Sequence, residues 1–66
     1  MRTTFYFIAW KDQGNPRKIT QKEAKELFGA ERFKEVMEDA KQTYSEDPGI
    51  SIEYMVAGGR IQIEFN

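Results

Sequence analysis

The chain predicts an α+β fold of order β-α-α-β-β, a three-stranded sheet with a broken helix packed on one face. Three stretches carry that expectation: an aromatic, β-branched segment near the start, two helical stripes out of phase across a glycine, and a closing pair of alternating segments.

Thr3 to Trp10, TTFYFIAW, has the composition of a strand. Alternation places Thr3, Phe5, Phe7 and Ala9 on one face and Thr4, Tyr6, Ile8 and Trp10 on the other. Both faces are apolar, which suits a strand covered on two sides, yet the chain has helical material for one covering layer. Phenylalanine has no polar tip, so Phe5 and Phe7 are expected beneath the helices, with Tyr6 and Trp10 facing outward.

Lys11 to Lys18 reads as a loop, with Gly14, Asn15 and Pro16 as turn formers. Thr20 and Glu23 then match a capping box, and Ile19 and Ala24 occupy the hydrophobic-staple positions. At about 100° per residue, Ala24, Leu27 and Phe28 share one side of a helix, whereas Phe33, Val36, Met37, Ala40 and Tyr44 cluster on the opposite side. A helix over 20–28, stopped by Gly29, and a second from about residue 30 to 45 let both stripes reach one core. Residues 46–49, EDPG, form a turn into the last segment.

Ile50 to Phe65 reads as a hairpin closed by Gly58 and Gly59, which suit a type I′ turn because both of its central residues need φ > 0. That turn pairs Val56 with Ile61, Tyr54 with Ile63 and Ile52 with Phe65 on one face, and Glu53 with Glu64 on the other. The first strand then lies at an edge, in spatial order 1-3-2 or 1-2-3.

Sixty-six residues suit a single domain, 1–66, whose core alone supplies only about 3–5 kcal/mol. With no cysteine and no histidine, disulfides, the usual zinc sites and histidine- or cysteine-based nucleophilic catalysis have no residues to use. No cofactor is expected, and oligomerisation or docking on a partner is left as reinforcement. No apolar run approaches the roughly 20 residues that span a bilayer, and no signal segment is recognisable, so a cytoplasmic location is the default expectation.

Net charge is −1 overall, but residues 11–25 carry five basic against two acidic side chains, and residues 26–53 carry three against eight. Such asymmetry steers encounters more than it sets affinity. Opposed Glu53 and Glu64 would be the one catalytic constellation available, a carboxylate pair on an open face without concavity or further ligands. A nucleic-acid or nucleotide site would use Tyr6 and Trp10 as stacking platforms with the basic residues Lys11, Arg17, Lys18, Lys22 and Lys25. Glu53 and Glu64 on the same face would repel phosphates.

The expectation favoured is non-enzymatic protein binding, by self-association or by capture or inhibition of a partner. The surface would be Tyr6, Ile8, Trp10 and Met55, rimmed by Glu53, Arg60, Gln62 and Glu64, together with the edge of the first strand. Small cysteine-free chains of this make-up are common among phage and mobile-element proteins that block a host factor, an analogy of composition alone. A bland alternative closes Tyr6, Ile8 and Trp10 over one another as a second small core.

Overall fold

A computed structural model describes residues 2–66. Its elements are β1 (Thr3–Ala9), β2 (Arg17–Ile19), α1 (Gln21–Phe28), α2 (Ala30–Glu46), β3 (Ile52–Val56) and β4 (Gly59–Phe65). The strands form one antiparallel sheet in the order β2-β1-β4-β3, and both helices pack on one face of it. The α+β class stands, with four strands instead of three.

The added strand is β2, inside and just beyond the segment read as a loop. Its three residues pair Phe5 with Ile19, Tyr6 with Lys18 and Phe7 with Arg17. The turn before it is tied by Asp12 N–H donating to the Ala9 carbonyl at 3.0 Å and by the Asn15 amide donating to the Asp12 carboxylate at 2.8 Å. Ile19 enters the core while Lys18, one residue earlier, points to the opposite face. β1 therefore has a neighbour on each side and is central. This corrects the expectation of an open β1 edge, and with it association through that edge. The sheet order keeps β1 beside β4, the 1-3-2 arrangement extended by one strand.

The face assignment of β1 holds, with one correction. Phe5 is buried under the helices, Phe7 packs half-buried against the same core, and Trp10 is exposed. Ile8, expected on an exposed patch, is only 3% exposed, yet it stands outside the helix-side core cluster. The register surrounds it with Tyr6 and Trp10 along the strand and Arg60 directly across. Neighbours on its own sheet face bury it.

The hairpin turn also differs in detail. Val56 pairs with Gly59, so the two central residues are Ala57 and Gly58, and only Gly58 has positive φ, +83°. A type I′ turn would need it at both. Gly59 instead serves close approach: an ideal Cβ there would lie 2.3 Å from the Ile8 carbonyl oxygen. Pairing moves by two positions along β4, to Tyr54 opposite Ile61 and Ile52 opposite Ile63, and an even shift leaves every side chain on its expected face.

The helix break falls at Gly29 (φ +87°, ψ 148°), a region essentially reserved for glycine and distinct from the left-handed helical one. Before it, Thr20 accepts from Glu23 N–H at 3.1 Å while Glu23 accepts from Thr20 N–H at 3.3 Å, the capping box expected. Ala24 and Phe28 are buried, but Leu27, assigned to the same stripe, is 38% exposed. α2 buries Phe33, Val36 and Ala40. Aromatic contacts knit the layers: Phe5 to Phe33 at 6.0 Å, Phe28 edge-on to Tyr54 at 6.3 Å, and Tyr44 to Phe65 at 5.2 Å between ring centroids.

Candidate functional site

The sheet face opposite the helices is the place where the singled-out residues meet. Register lays them in rows across the strands: Lys18, Tyr6, Gln62 and Glu53 in one, Ile8, Arg60 and Met55 in the next, with Thr4 opposite Glu64 beyond. Glu53 and Glu64 thus do not oppose each other, because the Ala57–Gly58 turn moves the pairing. The directly opposed carboxylate pair expected from the sequence is not formed.

Glu53 has a different partner. Arg60 Nε lies 2.8 Å from Glu53 Oε1, and this contact is ionic without the alignment of a hydrogen bond, since the buried Nε has no hydrogen-bond partner. Another guanidinium nitrogen donates to the Gln13 amide oxygen at 3.4 Å, and the guanidinium carbon stands 5.8 Å from the centre of the Trp10 ring. Glu53 in turn accepts from the Ser51 hydroxyl at 3.0 Å. These contacts hold the arginine head between β3 and the β1–β2 turn. Around it lies a shallow depression of about 260 Å³ lined by Trp10, Glu53, Tyr54, Met55 and Arg60. Its apolar rim stands out: Trp10 is 44% and Met55 68% exposed.

No family model, no curated protein and no solved structure matches this chain. The site must be read from its own chemistry.

The alternative basic set does not converge. Lys11 lies in the turn, Lys18 on the open face, and Lys22 and Lys25 on α1. Arg17 points to the helix side, 5.9 Å from the Phe7 ring centre and 4.0 Å from Glu23. Lys25 joins Lys34 and Lys41 around a wide groove of about 600 Å³ floored by Phe33 and Met37. Of that set, among the described residues, Lys18 alone shares the open face with a stacking aromatic, Tyr6.

Two features escape sequence reading. The Tyr54 hydroxyl, on the helix side of β3, donates to the Asp39 carboxylate at 2.5 Å. Burial, then that hydrogen bond and the charge of Asp39, push the phenol well above the ordinary tyrosine range. The second feature is β3 itself, an open edge. Arg2 and Asn66 exchange backbone hydrogen bonds and Trp10 N–H donates to Gly58 O, so even-numbered residues of β4 bond to β1 and odd-numbered ones to β3. Ile52, Tyr54 and Val56 accordingly use their backbone groups on β4, while those of Glu53 and Met55 point away from the sheet. Nothing in the sequence distinguishes these two sets.

Proposed function

We propose that this chain is a non-enzymatic protein-binding module whose partner seats on the β3 side of the open sheet face. The observation that carries the reading is the Trp10–Arg60–Met55 cluster: two exposed large apolar side chains flank an arginine head in contact with Glu53, Gln13 and Trp10. Tryptophan, methionine and arginine are enriched at interfaces, and a pre-positioned arginine loses little freedom when it is covered. Tyr6, Gln62 and Glu64 would form the outer part of the footprint. Ile8 supports it from below.

Site-specific photocross-linking in the source cells tests the reading. A benzoylphenylalanine at Met55 should give adducts that protease destroys and nuclease spares, and Trp10→Ala should weaken them. The same probe at Lys34, on α2, should give none. Adducts sensitive only to nuclease, or equal yields from the two positions, would refute it.

A further inference from the structure

We infer that the open edge of β3 accepts an extended, cationic segment of a partner protein as a fifth strand. This rests on the protein-binding reading and names its mode and the chemistry of the occupant.

The backbone supplies the first half of the inference. β3 ends the sheet, and the N–H and C=O groups of Glu53 and Met55 project from it without a strand to meet them. β3 has no proline, no lysine and, among the described residues, no strand on its outer side, and its one charged side chain, Glu53, is paired with Arg60. A strand laid there would donate to and accept from both residues, the arrangement of β-augmentation. Its side chains would alternate between the helix side and the open side.

Charge supplies the second half. Spacing of three and four along α2 puts Arg32, Glu35, Asp39, Gln42 and Glu46 on one flank. Two contacts identify it as the flank over β3: Asp39 accepts from Tyr54, and Arg32 lies 5.3 Å from the Phe28 ring, itself edge-on to Tyr54. Three of the four charged residues on that flank are acidic. On the other side of the edge, Glu53 is neutralised by Arg60, and the exposed surface is the apolar rim of Met55 and Trp10. An incoming strand is therefore offered anionic groups on its helix-side positions and apolar contact on its open-side positions. Alternating cationic and apolar residues match both.

A second copy of this chain fits the same edge poorly. Any two-fold pairing of β3 with its mate sets the acidic flank of one α2 beside that of the other, with two Asp39 carboxylates facing across the axis when the pairing centres on Tyr54.

The test uses the ¹⁵N-labelled full chain and a blocked heptapeptide of alternating lysine and valine, with a glutamate–valine heptapeptide as control. The lysine peptide should slow amide exchange at Glu53 and Met55 by about tenfold or more and should bind more weakly as salt rises. Met55→Pro deletes an outward N–H and no ladder bond, so it should weaken binding by about tenfold in a chain that stays folded. Glu35→Lys, an exposed change, should weaken it as well and admit the glutamate peptide.

Shifts confined to Trp10 and Arg60, without slowed exchange at Glu53 and Met55, would overturn strand addition while leaving the face reading intact. Equal binding of the two peptides, or no shift with either, would also overturn it. Concentration-dependent protection of Glu53 and Met55 without peptide would assign the edge to a second copy and overturn it too. The cross-linking yield from Met55 is read independently, so failure here and failure of the protein-binding reading are distinguishable.

Discussion

Gly59→Ala should be among the most damaging single-methyl additions in this chain, because backbone atoms of a neighbouring strand already fill the space the methyl would take. The added Cβ would stand 2.3 Å from the Ile8 carbonyl oxygen and 2.9 Å from Ala9 Cα, all backbone atoms of the central strand. A relaxed carbon–oxygen contact needs about 3.3 Å, so β1 and β4 would have to part by about 1 Å at this point. That movement strains the Trp10 N–H to Gly58 O hydrogen bond, now 3.1 Å. Overpacking costs about 1–3 kcal/mol and the weakened bond about 1 kcal/mol more, giving about 2–4 kcal/mol. Set against about 3–5 kcal/mol for a core of this size, the variant should be largely unfolded or close to it. Gly58→Ala is the control. Its Cβ would meet open space, and only the positive φ of +83° opposes it, at about 1–2 kcal/mol. Urea unfolding followed by emission of Trp10, the one tryptophan, gives both values, provided the m-value is unchanged. Chemical synthesis sharpens the contrast: D-alanine should be accepted at 58. A Gly58→Ala cost equal to or above that of Gly59→Ala would show that turn conformation, and not strand approach, governs the hairpin.

Three further outcomes are expected. Gly29→Ala should destabilise by about 1–3 kcal/mol, because its backbone region is closed to L-residues even though the surrounding space is empty; a neutral effect in urea unfolding would mean that α1 and α2 merge. Tyr54 holds its phenol proton more tightly folded than unfolded, so its contribution is intact below about pH 10 and is lost as pH rises beyond it. Ultraviolet titration should find a phenol ionising well above the ordinary tyrosine range that Tyr54→Phe removes together with the matching alkaline loss of stability; a titration curve whose late step survives Tyr54→Phe, or that has none, would exclude the Asp39 bond. Ile8→Lys should unfold the chain, since a charge at a 3%-exposed site is left without a partner, whereas Trp10→Lys should leave circular dichroism unchanged.

Much of the fold was legible in local chemistry. The Phe and Tyr/Trp alternation of Thr3 to Trp10, the Thr20–Glu23 box and the phase break at Gly29 each depend on near neighbours, and each appears in the structure. What escaped depends on partners far along the chain. Arg17 to Ile19 is too short and too polar to announce a strand, and it becomes one because the backbones of Phe5 and Phe7 offer an edge that β4 leaves unpaired. Gly58 and Gly59 are identical letters whose separate reasons are conformation at one and crowding by β1 at the other. Leu27 sits at the margin of its stripe, where a small rotation of an eight-residue helix decides exposure. Of the candidate site, Trp10, Met55, Arg60 and Glu53 do assemble on one face. The Glu53–Arg60 contact, and which backbone groups of β3 face outward, were hidden because both depend on a hairpin register that only the turn conformation sets; that β3 is an edge depends on the strand order, which local chemistry left open.

The position of β1 also governs how the chain reaches this structure. β1 meets β2 across a short turn, and β3 meets β4 across two residues, so each pair can close quickly and locally. The ladder that joins the two halves runs from Thr3 opposite Phe65 to Ala9 opposite Gly59, contacts between opposite ends of the chain. Closing a loop of that length costs entropy before any of its seven pairs forms, and topology of this kind slows folding relative to a helical chain of equal size. The rate-limiting event should therefore be the docking of two preformed hairpins. Substitutions at Phe5 or Ile61, where that docking occurs, should slow refolding, while those at the Ala57–Gly58 turn should act earlier, on the hairpin itself.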